Sequence, residues 1–246
     1  MATFLVLRLQ GPLMSFGSVS VDETRPTHPL PTQSQLTGLL ANALGWRARE
    51  GARLNRLQER LVFGARRDIP GELLVDYQNA HIHKGEAAWR ARAAGPLVRA
   101  GGDGYENAQR WRHYIADGAV SVVLTLEPAD EEPTLDQVAR ALERPARPLF
   151  LGRVSCPPSF FLHCGETVSA DSVSEALRLV PPLGADREDL YAEWPARGAL
   201  AGNHDLALRV QERADLRDWV NNLHTGWRLV ATGVLSMASE SGGGRS

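Results

Sequence analysis

The chain has 246 residues, 43% of them hydrophobic and 23% charged, enough to bury a sizeable core as one large domain or two small ones. No run approaches the roughly 18 consecutive apolar residues of a membrane span, and the N-terminus lacks the basic region and cleavage site of a secretory signal, so a cytoplasmic protein with no membrane partner is expected. Cys156 and Cys164 form neither a disulfide framework nor a C-x-x-C metal spacing, and both are expected to be buried thiols. The net charge of −2 argues against a surface that binds nucleic acid everywhere, but residues 1–113 carry 15 Lys/Arg against 10 Asp/Glu and residues 114–246 carry 12 against 19. That split suits a subunit meeting a polyanion on one side, and it equally suits plain solvated surface. Lys84 is the single lysine, so the basic charge is arginine, whose planar fork matches phosphate.

Phe4, Leu5, Val6, Leu7 and Leu9 predict a buried strand over about 3–9, followed by the loop GPLMSFG at 11–17. Thr32, Gln33 and Ser34 then introduce an apolar helix over 34–45, whose N-terminus, with unpaired N–H groups and partial positive charge, is a candidate phosphate site. An amphipathic turn with Leu54, Leu57 and Leu61 leads to a second strand near 61–67, and the alternation of Val120, Val122, Leu124 and Leu126 marks a third over 119–126. Leu135, Val138, Ala139 and Leu142 repeat at helical spacing behind Thr134, and RPLFLGRVSC at 147–156 reads as a fourth strand. The order is β-α-β-β-α-β, so the fold class is α+β with a ferredoxin-like core over 1–76 and 114–158. A smaller C-terminal α+β or mainly β unit over 159–236 and a disordered tail over 237–246 complete the expected organisation.

Residues 77–113 interrupt that core. They interleave Lys84, Arg90, Arg92, Arg99, Arg110 and Arg112 with Tyr77, Trp89, Tyr105 and Trp111, a composition that tracks a sugar-phosphate backbone and stacks on bases. The plainer reading is a surface hairpin whose aromatics pack on the body. GGDG at 101–104 lacks the strand-to-helix context of a phosphate loop. His81 and His83 share a strand face and read as an RNA-contacting or solvated pair rather than metal ligands, so no metal and no cofactor is expected. His113 has two readings, the general base of a metal-free ribonuclease or a hydrogen-bonding residue at the hairpin base. Asp68 has two readings, a catalytic carboxylate or a turn residue before Pro70-Gly71 that pairs with a neighbouring arginine.

Five segments in order, LRLQGPLMSFG (7–17), TRPTHPLPTQSQLTGLLANALG (24–45), ARRDIPGELLVDYQNAH (65–81), HYIADGAVSVVL (113–124) and RPLFLGRVSCPP (147–158), resemble the CasD family of the RAMP superfamily, subunits of the type I-E CRISPR effector Cascade. The resemblance implies an RRM-type core with an arginine-bearing β-hairpin thumb. It implies a non-catalytic role in antiviral defence, gripping the 5′ handle of the CRISPR RNA and bridging the large and backbone subunits, with target DNA met only through the complex. In type I-C relatives the homologous subunit is an endoribonuclease, and here that alternative would rest on His113. Carried onto this chain, the handle would meet the loop of Gly11, Met14 and Gly17, then Arg25, the helix start at Thr32 and Ser34, the thumb arginines Arg90, Arg92, Arg110 and Arg112, and Phe150, Gly152 and Arg153. An aromatic to stack on, a glycine that admits backbone and an arginine for phosphate make a small single-strand RNA site at 150–153, with core packing the other reading of Phe150.

Overall fold

The apolar run near the N-terminus forms β1 (Ala2–Gln10), and its alternate residues feed two separate cores. A computed structural model of the chain describes residues 1–20, 22–83, 98–99, 105–184, 189–202 and 206–237. Leu5, Leu7 and Leu9 face one way with Val120, Val122 and Leu124 of β8 (Ala119–Leu126), beneath α1 (Gln33–Ala43), α2 (Gly51–Arg60) and α3 (Leu135–Glu143). Phe4, Val6 and Val123 face the other way, where α4 (Val173–Leu179) covers them together with Trp194 and Leu235. A strand buried on both faces has to sit in the middle of a sheet, and β8, buried at every position, does so.

That sheet has seven strands in the order β11 (Ala207–Asp218), β12 (Leu223–Ser236), β10 (Asp189–Pro195), β4 (Leu61–Ile69), β8, β1, β9 (Thr167–Ala170), and every neighbouring pair is antiparallel. The strands expected at 61–67 and 119–126 are present. The strand expected over 147–156 is not: the segment is a chain of bends in which Leu151 N–H donates to the Cys156 carbonyl and Cys156 N–H to that of Arg153. Gly152 takes φ +101 there, which breaks the extended run, and β9 occupies the edge beside β1 instead. The turn expected around Leu54 is the ten-residue helix α2. The C-terminal strands form no sheet of their own, because β10 pairs with β4 at Ala192↔Arg66 and Glu193↔Ala65 and so extends the same sheet. Cys156 is buried as expected, but Cys164 is exposed. Among the described residues no helix is long and apolar enough to cross a membrane.

A second sheet is organised on β7 (Tyr105–Ala116). Along one edge β7 pairs with β5 (Glu72–His83) from Glu72↔Ala116 to His83↔Tyr105, so the hairpin arms begin five residues before position 77. Three short strands pair with β7 as well: β2 (Leu13–Met14), β3 (Thr24–Arg25) and β6 (Val98–Arg99). Arg90, Arg92 and GGDG lie outside the described residues, as does the tail from 238 onward.

Buried charge ties the elements together. Asp68 is no turn residue: it is 2% exposed and accepts from Arg66 Nε at 2.7 Å, Ser121 Oγ at 2.5 Å and Leu183 N–H at 2.8 Å, with Arg8 at 3.8 Å. Arg66 in turn donates to the carbonyls of Leu177 and Val180, so one ion pair pins the end of α4 to β4. Removing the anion strands a fully buried guanidinium. Asp68→Ala is therefore expected to lose about 3–5 kcal/mol of stability, read by urea denaturation, with Asp68→Asn losing less.

A second knot holds the segment before α1. His28 Nδ1 receives Arg213 Nη1 at 2.7 Å, and since arginine only donates, His28 is neutral with its proton on Nε2. Arg213 also pairs with Glu193 on β10. Burial first, and the charge of Arg213 second, depress the His28 pKa from 6.5 to about 4. The unfolded chain takes up this proton near pH 6.5 and the folded chain only near 4, so the stabilisation is complete above 6.5 and is lost as pH falls toward 4. Thermal unfolding followed across that window should show a decline that His28→Gln reduces.

Candidate nucleic-acid interface

β7 carries two different faces because side chains alternate along a strand. Arg110, Arg112 and Tyr114 share one face, and the parallel register Arg25↔Arg112 places Arg25 beside them. Trp111 and His113 share the other, where the register partner Tyr77 brings its ring to 5.2 Å from Trp111, tilted by 45°. Both rings are open to solvent, Tyr77 at 50% and Trp111 at 36% exposure. The base of the hairpin is thus basic on one side and aromatic on the other.

Arg153 holds this base in place. Its Nη1 donates to the His113 carbonyl at 3.1 Å, its Nη2 to the Arg25 carbonyl at 3.0 Å, and its guanidinium lies 4.6 Å from the Tyr114 ring centroid. Two donors of the fork are therefore spent on β3 and β7, and the residue acts first as a brace. Burial pushes the Tyr114 phenol up, but hydrogen bonds to Ser155 and Arg153, the Arg153 charge and a hydrogen bond to Arg112 outweigh it, leaving the phenol more acidic than usual. The bend at Gly152 makes the brace possible: a Cβ there would lie 1.7 Å from the Ser15 carbonyl oxygen and 3.1 Å from Gln35 Nε2. Ser15 N–H donates to the Leu151 carbonyl, and Ser15 Oγ to that of His113, so loop, β2 and β7 meet at this point. Leu149 and Leu151 turn inward, leaving Phe150 between them half-buried rather than in the core.

The loop residues separate into two groups. Gly17, at φ +65 with open space around it, is exposed, and its carbonyl receives His28 N–H. Gly11 is buried under Pro157, whose carbonyl a Cβ would meet at 2.7 Å, and the Met14 side chain is 0% exposed, packing by Gly118. Those two residues serve packing, and their side chains offer nothing to a ligand. Arg25 folds onto its own turn, donating to Ser20 Oγ and to the carbonyls of Asp22 and Thr24. Arg110 Nη1 donates to the Gln109 carbonyl. His113 keeps its carbonyl engaged, while its imidazole makes no hydrogen bond or ion pair among the described residues.

The helix start expected to hold a phosphate already holds an anion. Thr32 caps α1 by accepting from Gln35 N–H, and Gln33 N–H donates at 3.0 Å to Asp215, a carboxylate 3% exposed and paired with Arg228. Ser34 is buried beside it. The internal carboxylate satisfies the positive helix end, so the expectation of an open phosphate seat at Thr32 and Ser34 is corrected. Nothing near Ser34 in the sequence marks a residue as distant as Asp215, and the role of Tyr114 under Arg153 was equally unmarked. Among the described residues no three potential metal ligands cluster.

Residues 4–231 match the family model of the CRISPR-associated protein Cas5. The chain is 31% identical over 198 residues to the CRISPR system Cascade subunit CasD of Escherichia coli (strain K12), a match covering 80% of this chain and 84% of that one. Among solved structures it resembles a chain of a CRISPR RNA-guided surveillance complex, with TM-score 0.64, 25% identity and 95% and 90% of the two chains covered. A crystal structure of a Cas protein matches with TM-score 0.62 and 28% identity, covering 96% and 95%. The α+β architecture with its large antiparallel sheet is similar to that of these CRISPR-associated proteins, and the chain belongs to the Cas5 family.

Proposed function

We propose that this protein is a non-catalytic subunit of a Cascade-type CRISPR complex that grips the unpaired 5′ handle of the guide RNA at the base of its hairpin. The observation that carries this reading is the pairing of β3 with β7, which sets Arg25 beside Arg112 on one face while Tyr77 and Trp111 stand exposed on the other. Arginines supply phosphate contacts and exposed rings supply stacking, the two means by which single-stranded RNA is held. Phe150 and the open backbone at Gly17 extend the surface, and Arg90 and Arg92 would continue it along the thumb. The strand order β4–β8–β1–β9 with helices α1 and α3 on one face supports a ferredoxin-like core, its fourth strand being β9. The complex would place this chain between a large subunit and a backbone subunit, with target DNA met through the assembly. In this reading His113 helps to position RNA and takes no part in cleaving it.

Two arginines separate the roles. Arg112→Ala removes a phosphate partner, so guide RNA affinity should fall about threefold to tenfold and the slope of log affinity against log salt should shrink by about 0.7. Arg153→Ala releases the brace, so affinity should fall comparably with the slope unchanged. Filter binding across a salt series measures both. Equal affinity for wild type and the Arg112→Ala variant would remove the hairpin base from the RNA site.

A further inference from the structure

We propose that the cleft between Trp46 and Trp219 is a second contact for single-stranded nucleic acid, taking one unpaired base with its phosphate. It uses none of the residues at the hairpin base and stands independently of the reading above. The cleft has a volume of about 410 Å³, within the range of small-ligand sites. Its floor is α1 at Gly38, where a Cβ would come within 3.3 Å of Trp219 Cη2.

Both indoles are held before any ligand arrives. Arg53 lies 4.1 Å from the Trp46 ring centroid and Arg217 4.9 Å from that of Trp219, whose Nε1–H also donates to Gln58 Oε1 at 3.2 Å. Rings fixed in this way lose little freedom when a base stacks on them. The lining includes Arg47 and Arg147 and no carboxylate. Arg147 donates to Asn42 Oδ1 at 2.7 Å and to the Trp46 carbonyl, so dipoles orient its charge and no anion cancels it. The exposed Arg47 guanidinium has no partner among the described residues. Asn42 is spent on both sides, receiving Arg147 and donating to the Pro148 carbonyl at 2.7 Å. Glu50 accepts from the Arg47 backbone N–H at 2.6 Å and pairs with Arg53 at 2.7 Å, which leaves aromatic surface with the guanidinium charges of Arg47 and Arg147, chemistry that selects a flat π-system carrying an anion.

The test titrates the full-length chain with fluorescein-labelled oligouridylate and oligothymidylate of roughly twelve nucleotides, a length that spans a single-strand site. Trp46→Leu should weaken binding about tenfold through lost stacking, and Arg47→Ser about threefold with a salt slope smaller by about 0.7. Tryptophan quenching on binding should persist in an Arg112→Ala chain, so that failure of the hairpin-base site leaves this one visible. RNA-only binding assigns the cleft to a guide strand and DNA-only binding to a target strand, and either supports it. Should Trp46→Leu fail to fold by circular dichroism, the folded Arg47→Ser variant decides. Wild-type affinity for both oligonucleotides in Arg47→Ser, or displacement of them by polyglutamate that then quenches the same tryptophans, would overturn the proposal.

Discussion

One guanidinium fixes the geometry of the candidate interface. Arg153 reaches from a bend that only glycine at 152 permits, and it ties the carbonyls of His113 and Arg25 while lying over Tyr114. β3 is two residues long and β2 is no longer, so neither would hold its place on β7 by its own ladder. The brace and the Ser15 hydrogen bonds supply what the short ladders lack. Arg25 and Arg112 come side by side as a result, and an otherwise ordinary hairpin base acquires a basic face.

A second theme is that this protein satisfies its own positive ends. Asp215 occupies the N-terminus of α1, Asp68 anchors Arg66 and Arg8, and Glu193 with neutral His28 anchors Arg213. Internal neutralisation of this kind sets those buried arginines apart from the half-buried Arg110 and Arg112 on β7 and the exposed Arg47 beside Trp46. A division between structural and outward arginine would let a chain of net charge −2 present the proposed RNA-binding surface.

Much of the fold was readable because its central strands are buried on both faces. The apolar runs of β1 and β8 and the capped, periodic helices α1 and α3 carry local signals, and of these the family resemblance drew on α1, most of β8 and the end of β1. The segment 147–156 misled because Leu149 and Leu151 alternate as a strand does, while the glycine between Leu151 and Arg153 and the prolines on either side mark a bend. The joining of β10 to β4 rests on two residue pairs far apart in sequence, which no local pattern announces. Of the residues expected to meet RNA, Gly17 is exposed, Phe150 is half-buried, and Arg25, Arg110 and Arg112 lie on β7 or beside it. Met14 and Gly11 turned out to be packing residues, and Arg153 a brace, because burial and bonding partners are set by chain segments that approach only in three dimensions.

The most direct test of the hairpin base as the guide-RNA seat is photocrosslinking of the assembled, guide-loaded complex carrying 4-thiouridine in the 5′ handle, followed by peptide mass spectrometry. Adducts on Tyr77, Trp111 or Phe150 are predicted. Adducts confined to other subunits, with the β7 peptides of this chain unmodified, would contradict the account.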